Sequence, residues 1–81
     1  MTQDLRRRAH ELDVTVWVGK AGIDAVVDEL QDQLQDRDLV KVKFLRAARG
    51  SDDTEDLAAA LGEHVNAEVF DVRGHTAVFH R

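Results

Sequence analysis

In Val14-Thr15-Val16-Trp17-Val18-Gly19-Lys20-Ala21-Gly22-Ile23-Asp24-Ala25-Val26-Val27 the spacing of apolar residues changes from two to nearly four, and the change falls across Gly19–Gly22. Val14–Val18 alternates and is β-branched, which predicts a strand ending at Gly19. Ile23, Val26, Val27, Leu30 and Leu34 then recur at the intervals of one helix face. Asp24 falls in the first turn of that helix, where a carboxylate favours the positive end of the dipole. Leu39-Val40-Lys41-Val42-Lys43-Phe44 returns to a period of two, with Val40, Val42 and Phe44 inward and Lys41 and Lys43 outward. A strand–helix–strand unit of this kind implies parallel pairing through a right-handed crossover.

Working outward, residues 3–12 set Leu5, Ala9 and Leu12 at helical spacing, flanked by Arg6, Arg7, Arg8 and His10. Downstream, Arg46–Gly50 reads as a loop carrying two arginines. Asp52-x-x-Glu55 reads as a capping box opening a third helix, with Leu57, Ala58, Leu61 and Val65 on one face and Gly62 as a weak stop. Ala67–Val72 and Thr76–His80 are expected strands around a turn at Arg73-Gly74-His75. The order α-β-α-β-α-β-β predicts an α/β two-layer sandwich with a four-stranded mixed sheet. Residues 1–81 are expected to form one domain, near the lower limit of size for a chain that folds without staples.

There is no cysteine, which excludes disulfides and thiolate metal sites and agrees with a reducing cytoplasm. No apolar run approaches the ~18 residues that cross a bilayer, and no apolar segment follows the basic start as in a signal peptide. The expectation is a cytoplasmic protein with no membrane role. Eleven Lys and Arg face sixteen Asp and Glu, a balance that speaks against nucleic acid. The acids are unevenly placed. Residues 24–36 hold Asp24, Asp28, Glu29, Asp32 and Asp36, and residues 52–63 hold Asp52, Asp53, Glu55, Asp56 and Glu63, with no Lys or Arg in either stretch. Outside them the chain is net basic. Abundant aspartate and more arginine than lysine also resemble proteins of cells with molar internal salt, where contacts rest less on counterion release.

Gly19-Lys20-Ala21-Gly22 is the most informative short motif. Two glycines allow close approach of another backbone, a following helix end offers N–H groups to phosphate, and Lys20 adds charge at the tip. Taken alone, the pattern serves equally as a structural turn. His10, His64, His75 and His80 are scattered over four elements without ligand spacing, so no metal or cofactor is expected. Ser51 has no adjacent base, and the acids of residues 24–36 read as a solvated face, so no enzyme is expected. Trp17 lies on the strand face opposite Val16 and Val18; it stacks on a base or, as the expectation, packs under the first helix.

The run Leu12–Phe44, with V-G-K-A-G-I and D-R-D-L-V-K-V-K-F, and the closing V-R-G-H-T-A-V-F-H-R resemble the CRM domain (chloroplast RNA splicing and ribosome maturation), also called YhbY-like. The resemblance implies a fold similar to the carboxy-terminal domain of translation initiation factor 3 and a stand-alone, monomeric RNA-binding protein, here of archaeal, salt-loving type. It further implies contact with ribosomal RNA or a pre-ribosomal particle during large-subunit assembly. Carried over by position, Gly19, Lys20, Ala21 and Gly22 form the RNA-binding loop, and Arg6, Arg7, Arg8, Lys41 and Lys43 are supporting contacts. Two other readings stand beside it: a protein–protein adaptor using the acidic helices, and an archaeal chromatin-type protein preferring duplex DNA.

Overall fold

β1 (Val14–Val18) and β2 (Leu39–Phe44) pair in parallel, Val16 opposite Val42 and Val18 opposite Phe44. This arrangement comes from a computed structural model that describes residues 2–81; Met1 and the side chains of Thr2, Gln3 and Leu5 are outside the described residues, so the expected core place of Leu5 is too. Helix α1 (Thr2–Glu11) precedes β1. Between β1 and β2 run a 3-10 turn, Ile23–Val26, and helix α2 (Val27–Asp36). Helices α3 (Arg46–Arg49) and α4 (Thr54–Val65) follow, and then the hairpin of β3 (Glu68–Arg73) and β4 (Thr76–His80). β4 lies antiparallel to both β2 and β3, giving the order β1-β2-β4-β3 and a mixed sheet.

The inward residues expected from the period of two do face the core. Val16, Val18, Val40, Val42, Phe44, Ala77 and Phe79 of the sheet pack against Leu30, Leu34, Ala58, Leu61 and Val65 of α2 and α4. Burying a Leu or Phe completely, as at Leu30, Leu61, Phe44 and Phe79, contributes about 1.5–3 kcal/mol each. The opposite face carries a second, smaller cluster of Ala9, Leu39 and Val78, with Leu12 and Phe70 beside it. Helix α1 therefore adds a partial third layer to the two-layer arrangement. Its small contact residue, Ala9, brings it close to the sheet over the rows that begin at Leu39.

Four local readings are corrected by the structure. Arg46–Gly50 is not an open loop: Ala48 and Arg49 donate N–H bonds to the Leu45 carbonyl, closing one helical turn over Arg46–Arg49. A single turn is too short to leave a periodic signal. The capping box of Asp52 and Glu55 does not form. Asp52 instead donates its N–H to the Arg49 carbonyl at 2.6 Å, and α4 begins one residue later with Asp53 as N-cap and no side-chain cap bond. Gly62 does not stop the helix. It lies buried within α4, which ends at Asn66 in the left-handed region (φ 56°, ψ 47°), whose N–H donates to the Gly62 and Glu63 carbonyls. The last hairpin is shifted by one residue, with Arg73 inside β3 and the turn confined to Gly74-His75.

Candidate functional site

The Gly19–Gly22 segment forms a tight turn. The Gly22 N–H donates to the Gly19 carbonyl at 3.0 Å, so Lys20 and Ala21 occupy its tip, and both are exposed. Gly22 has φ +86° and ψ −179°, a region that is essentially restricted to glycine. The segment does not open directly into an α-helix as the spacing predicts. The 3-10 turn Ile23–Val26 intervenes, and the Gly22 N–H, one of the groups expected to face a phosphate, is used inside the turn itself.

Three strand ends meet beside this turn. Leu45, just past β2, donates its N–H to the Val18 carbonyl at 2.9 Å, and its Cδ1 would lie 3.9 Å from a Cβ added at Gly19. On the other side of β2, the Phe44 N–H donates to the His75 carbonyl at 2.8 Å, which ties the Gly74-His75 turn to the same end of the sheet. Helix α3 continues from Leu45, with Arg46 exposed and Arg49 half-buried; the Arg49 Nε donates to the Phe44 carbonyl at 3.2 Å.

Strand register places a further row across this end. Trp17 is opposite Lys43, Lys43 is opposite Thr76, and Thr76 is opposite Arg73. Alternation sets all four on the face that bears α1, because Val16, Val18, Val42, Phe44 and Ala77 are buried on the other. Across four strands spaced 4.7–4.9 Å apart, the row spans about 14 Å. Helix α1 does not reach over the Trp17 end. Trp17 is 53% exposed, which overturns the expectation that it packs under the first helix; with Leu45, it is one of two exposed large apolar residues among those described.

The supporting basic residues separate on this frame. Lys43 stands in the row next to the turn. Lys41 lies one row deeper and is half-buried, lining a small cavity with Ala9, His10 and Asp71 beneath α1. Arg6 borders a cleft with His10, Phe70 and Arg73 on the β3 side. Arg7 is exposed. Arg8 sits at the far end of the sheet, 3.5 Å from Asp38, the residue before β2 begins. The structure thus groups Lys20 with Lys43 and separates both from Arg8.

The acidic stretches fall mostly on α2 and α4, which cover the opposite face of the sheet. The two sides of the molecule therefore differ in charge as the distribution along the chain predicts. The separation is incomplete: Asp4 and Glu11 lie on α1, and Glu68 stands opposite His80 on the α1 face of the sheet. Asp52, Asp53 and Glu55 border a cleft with Arg49 and His75, and Asp71 lies 3.7 Å from Arg73. Asp24 is turned toward α4, 3.8 Å from His64. Among the described residues, Lys20, Lys43, Arg46 and Arg49 make no ion pair. Also among the described residues, no three His, Asp or Glu gather as metal ligands, and no helix is long and apolar enough to cross a membrane.

The CRS1 / YhbY (CRM) domain pattern matches the chain over residues 1–81. The chain belongs to the CRM domain family. This CRM domain is 41% identical over 81 residues to the "Probable RNA-binding protein" of Methanocaldococcus jannaschii, and it spans 60% of that relative's length. It is also similar to the solution structure of a Staphylococcus aureus protein proposed to bind RNA. The TM-score is 0.80 at 33% identity, with 99% of this chain and 82% of that one covered.

Reading the chain alone misses Leu45, Arg46, Arg49, Arg73 and His75 as neighbours of the Gly19–Gly22 turn. Their only common signal is position just within or just past the carboxy end of a strand. In this CRM domain that signal becomes a shared surface because β4 inserts next to β2, a pairing between residues more than thirty positions apart.

Proposed function

We propose that this CRM domain binds structured RNA, with the Gly19–Gly22 turn and the adjoining row of Trp17, Lys43 and Arg73 as its contact surface. One observation carries the reading: the turn that the family resemblance nominates lies at the same sheet end as Lys43, Arg46 and Arg49, which make no ion pair among the described residues. The acidic helices lie chiefly on the other face, so the net charge of −5 does not set the potential here. A turn with Lys20 at its tip, beside a short helix with Arg46 exposed and Arg49 half-buried, suits phosphate oxygens, which fix register without reading sequence. Arg6 and Arg7 extend the surface along α1, whereas Arg8 and Lys41 contribute less, being paired and half-covered respectively. The names of the two relatives point the same way. Within this reading the RNA is ribosomal or pre-ribosomal, and the protein acts as a cytoplasmic monomer in large-subunit assembly without catalysing a reaction.

The test is fluorescence anisotropy with ribosomal RNA fragments and matched duplex DNA in high potassium chloride, comparing wild type with Lys20→Glu. The expected result is a preference for RNA that Lys20→Glu reduces at least tenfold, while circular dichroism stays unchanged. Absence of binding to either polymer at any salt would overturn the reading and move attention to α2 and α4 as a protein-binding face.

A further inference from the structure

Trp17 is the sole tryptophan of the chain, and it stands 53% exposed on a β-strand, where its neighbours Val16 and Val18 are wholly buried. An indole left open to water forgoes a large part of the burial that ordinarily fixes such a side chain. Packing gives no reason for it, since α1 covers Leu39, Val78 and Phe70 and leaves this end of the face uncovered. Its surroundings are cationic and shallow. Lys43 is its register partner and the Lys20 turn begins two residues further along the chain, while Arg73 ends the row on the opposite edge strand, about 14 Å away. Asp71, 3.7 Å from Arg73, and Glu68, two rows further along opposite His80, are the acids on the same side of β3. A flat ring flanked by cations is the combination that holds an unstacked base together with its phosphates. A protein partner would be expected to need a broader apolar patch, and Leu45 alone joins Trp17 as an exposed large apolar residue among those described.

We infer that Trp17 is a stacking platform for one unpaired base, so that the RNA recognised by this surface is a stem carrying a bulged or looped-out nucleotide. The inference rests on the RNA-binding reading above. Lys43 and Lys20 hold the neighbouring phosphates, Arg73 at the other end of the row meets a more distant one, and the duplex on either side is held by shape. A fully paired stem satisfies the cations but leaves the indole open.

The probes are two labelled RNA hairpins of equal length, one with a single-nucleotide bulge and one fully paired, at one fixed potassium chloride concentration. Anisotropy reads binding, and the emission of the single tryptophan reads stacking directly. The bulged hairpin is expected to bind roughly 5- to 150-fold more tightly, the range of one stacked base, and to quench Trp17. Trp17→Ala should lose that ratio while still binding the paired stem, and Trp17→Phe should keep most of it. Equal binding of both hairpins with unchanged emission would overturn the stacking inference and leave RNA binding standing. Failure of both hairpins to bind at any salt would overturn both.

Discussion

At Gly22 the backbone holds φ +86° and ψ −179°, which costs a residue with a Cβ about 1–3 kcal/mol although open space surrounds it. Gly22 thus serves the turn itself as well as any close approach of a ligand. Gly22→Ala is expected to lower the thermal midpoint by about 4–8 °C for each kcal/mol lost. Gly19→Ala places its methyl in ordinary contact with Leu45, 3.9 Å away, and should change stability by less than about 0.5 kcal/mol. Urea denaturation of the pair distinguishes the two roles, and equal midpoints would show that the turn does not constrain Gly22. Gly62 is a different case. A Cβ there would meet the Ala67 carbonyl at 3.0 Å and Val69 Cγ2 at 3.2 Å. Gly62→Ala gains about 1 kcal/mol of helix propensity but forces α4 off β3 at a cost of about 1–3 kcal/mol. The crowding includes a backbone oxygen that cannot rotate away, so a net loss of about 1 kcal/mol is expected in the same denaturation series.

Among the elements, β2 decides whether the sheet exists. It pairs with β1 on one side and β4 on the other, and Val42, opposite both Val16 and Ala77, is wholly buried. Val42→Asp puts an unpaired carboxylate into that core, which costs several kcal/mol against a total stability of about 5–15 kcal/mol. Loss of the cooperative thermal transition is the expected outcome; a folded Val42→Asp protein would mean that the strand faces are reversed. The alternation of β2 is legible because one face is buried and the other is not, and the same holds for the stripe of α2. Features fixed by competition between neighbours are not legible. Asp52 has the right spacing for a capping box but closes the turn that follows α3 by donating to the Arg49 carbonyl, and Gly62 resembles a helix stop but marks a close approach. The candidate site divides in the same way. The Gly19–Gly22 turn is local and can be read from the chain, whereas the row from Trp17 to Arg73 depends on β4 lying between β2 and β3, which no local pattern records. Trp17 itself is set on the correct face by alternation, but its exposure depends on how far α1 reaches.

On the scale of the molecule, the question is how a chain with net charge −5 holds a polyanion. The body measures 35 × 24 × 19 Å, and α2 lies behind the sheet from the Trp17 row. Packed layers of helix or sheet stand about 8–10 Å apart, so carboxylates on the solvent side of α2 stand further still from a phosphate on the other face. The Debye length is about 10 Å at 0.1 M salt and about 3 Å at 1 M. Charge on α2 is therefore largely screened from the contact surface at moderate salt and wholly so at high salt, while Lys20 and Lys43 act at contact distance. Neutralising α2 with Asp28→Asn and Asp32→Asn should strengthen RNA binding by less than about threefold at 0.1 M potassium chloride and leave it unchanged at 1 M. Lys43→Gln should weaken binding and flatten the plot of log K against log salt by about 0.7–0.9, the change for one lost phosphate contact. Anisotropy titrations of the three proteins across that salt range check both expectations together. If the Asp28/Asp32 variant lost RNA binding while Lys43→Gln kept both its affinity and its salt slope, the contact face would be α2 and not the sheet end beside Gly19–Gly22.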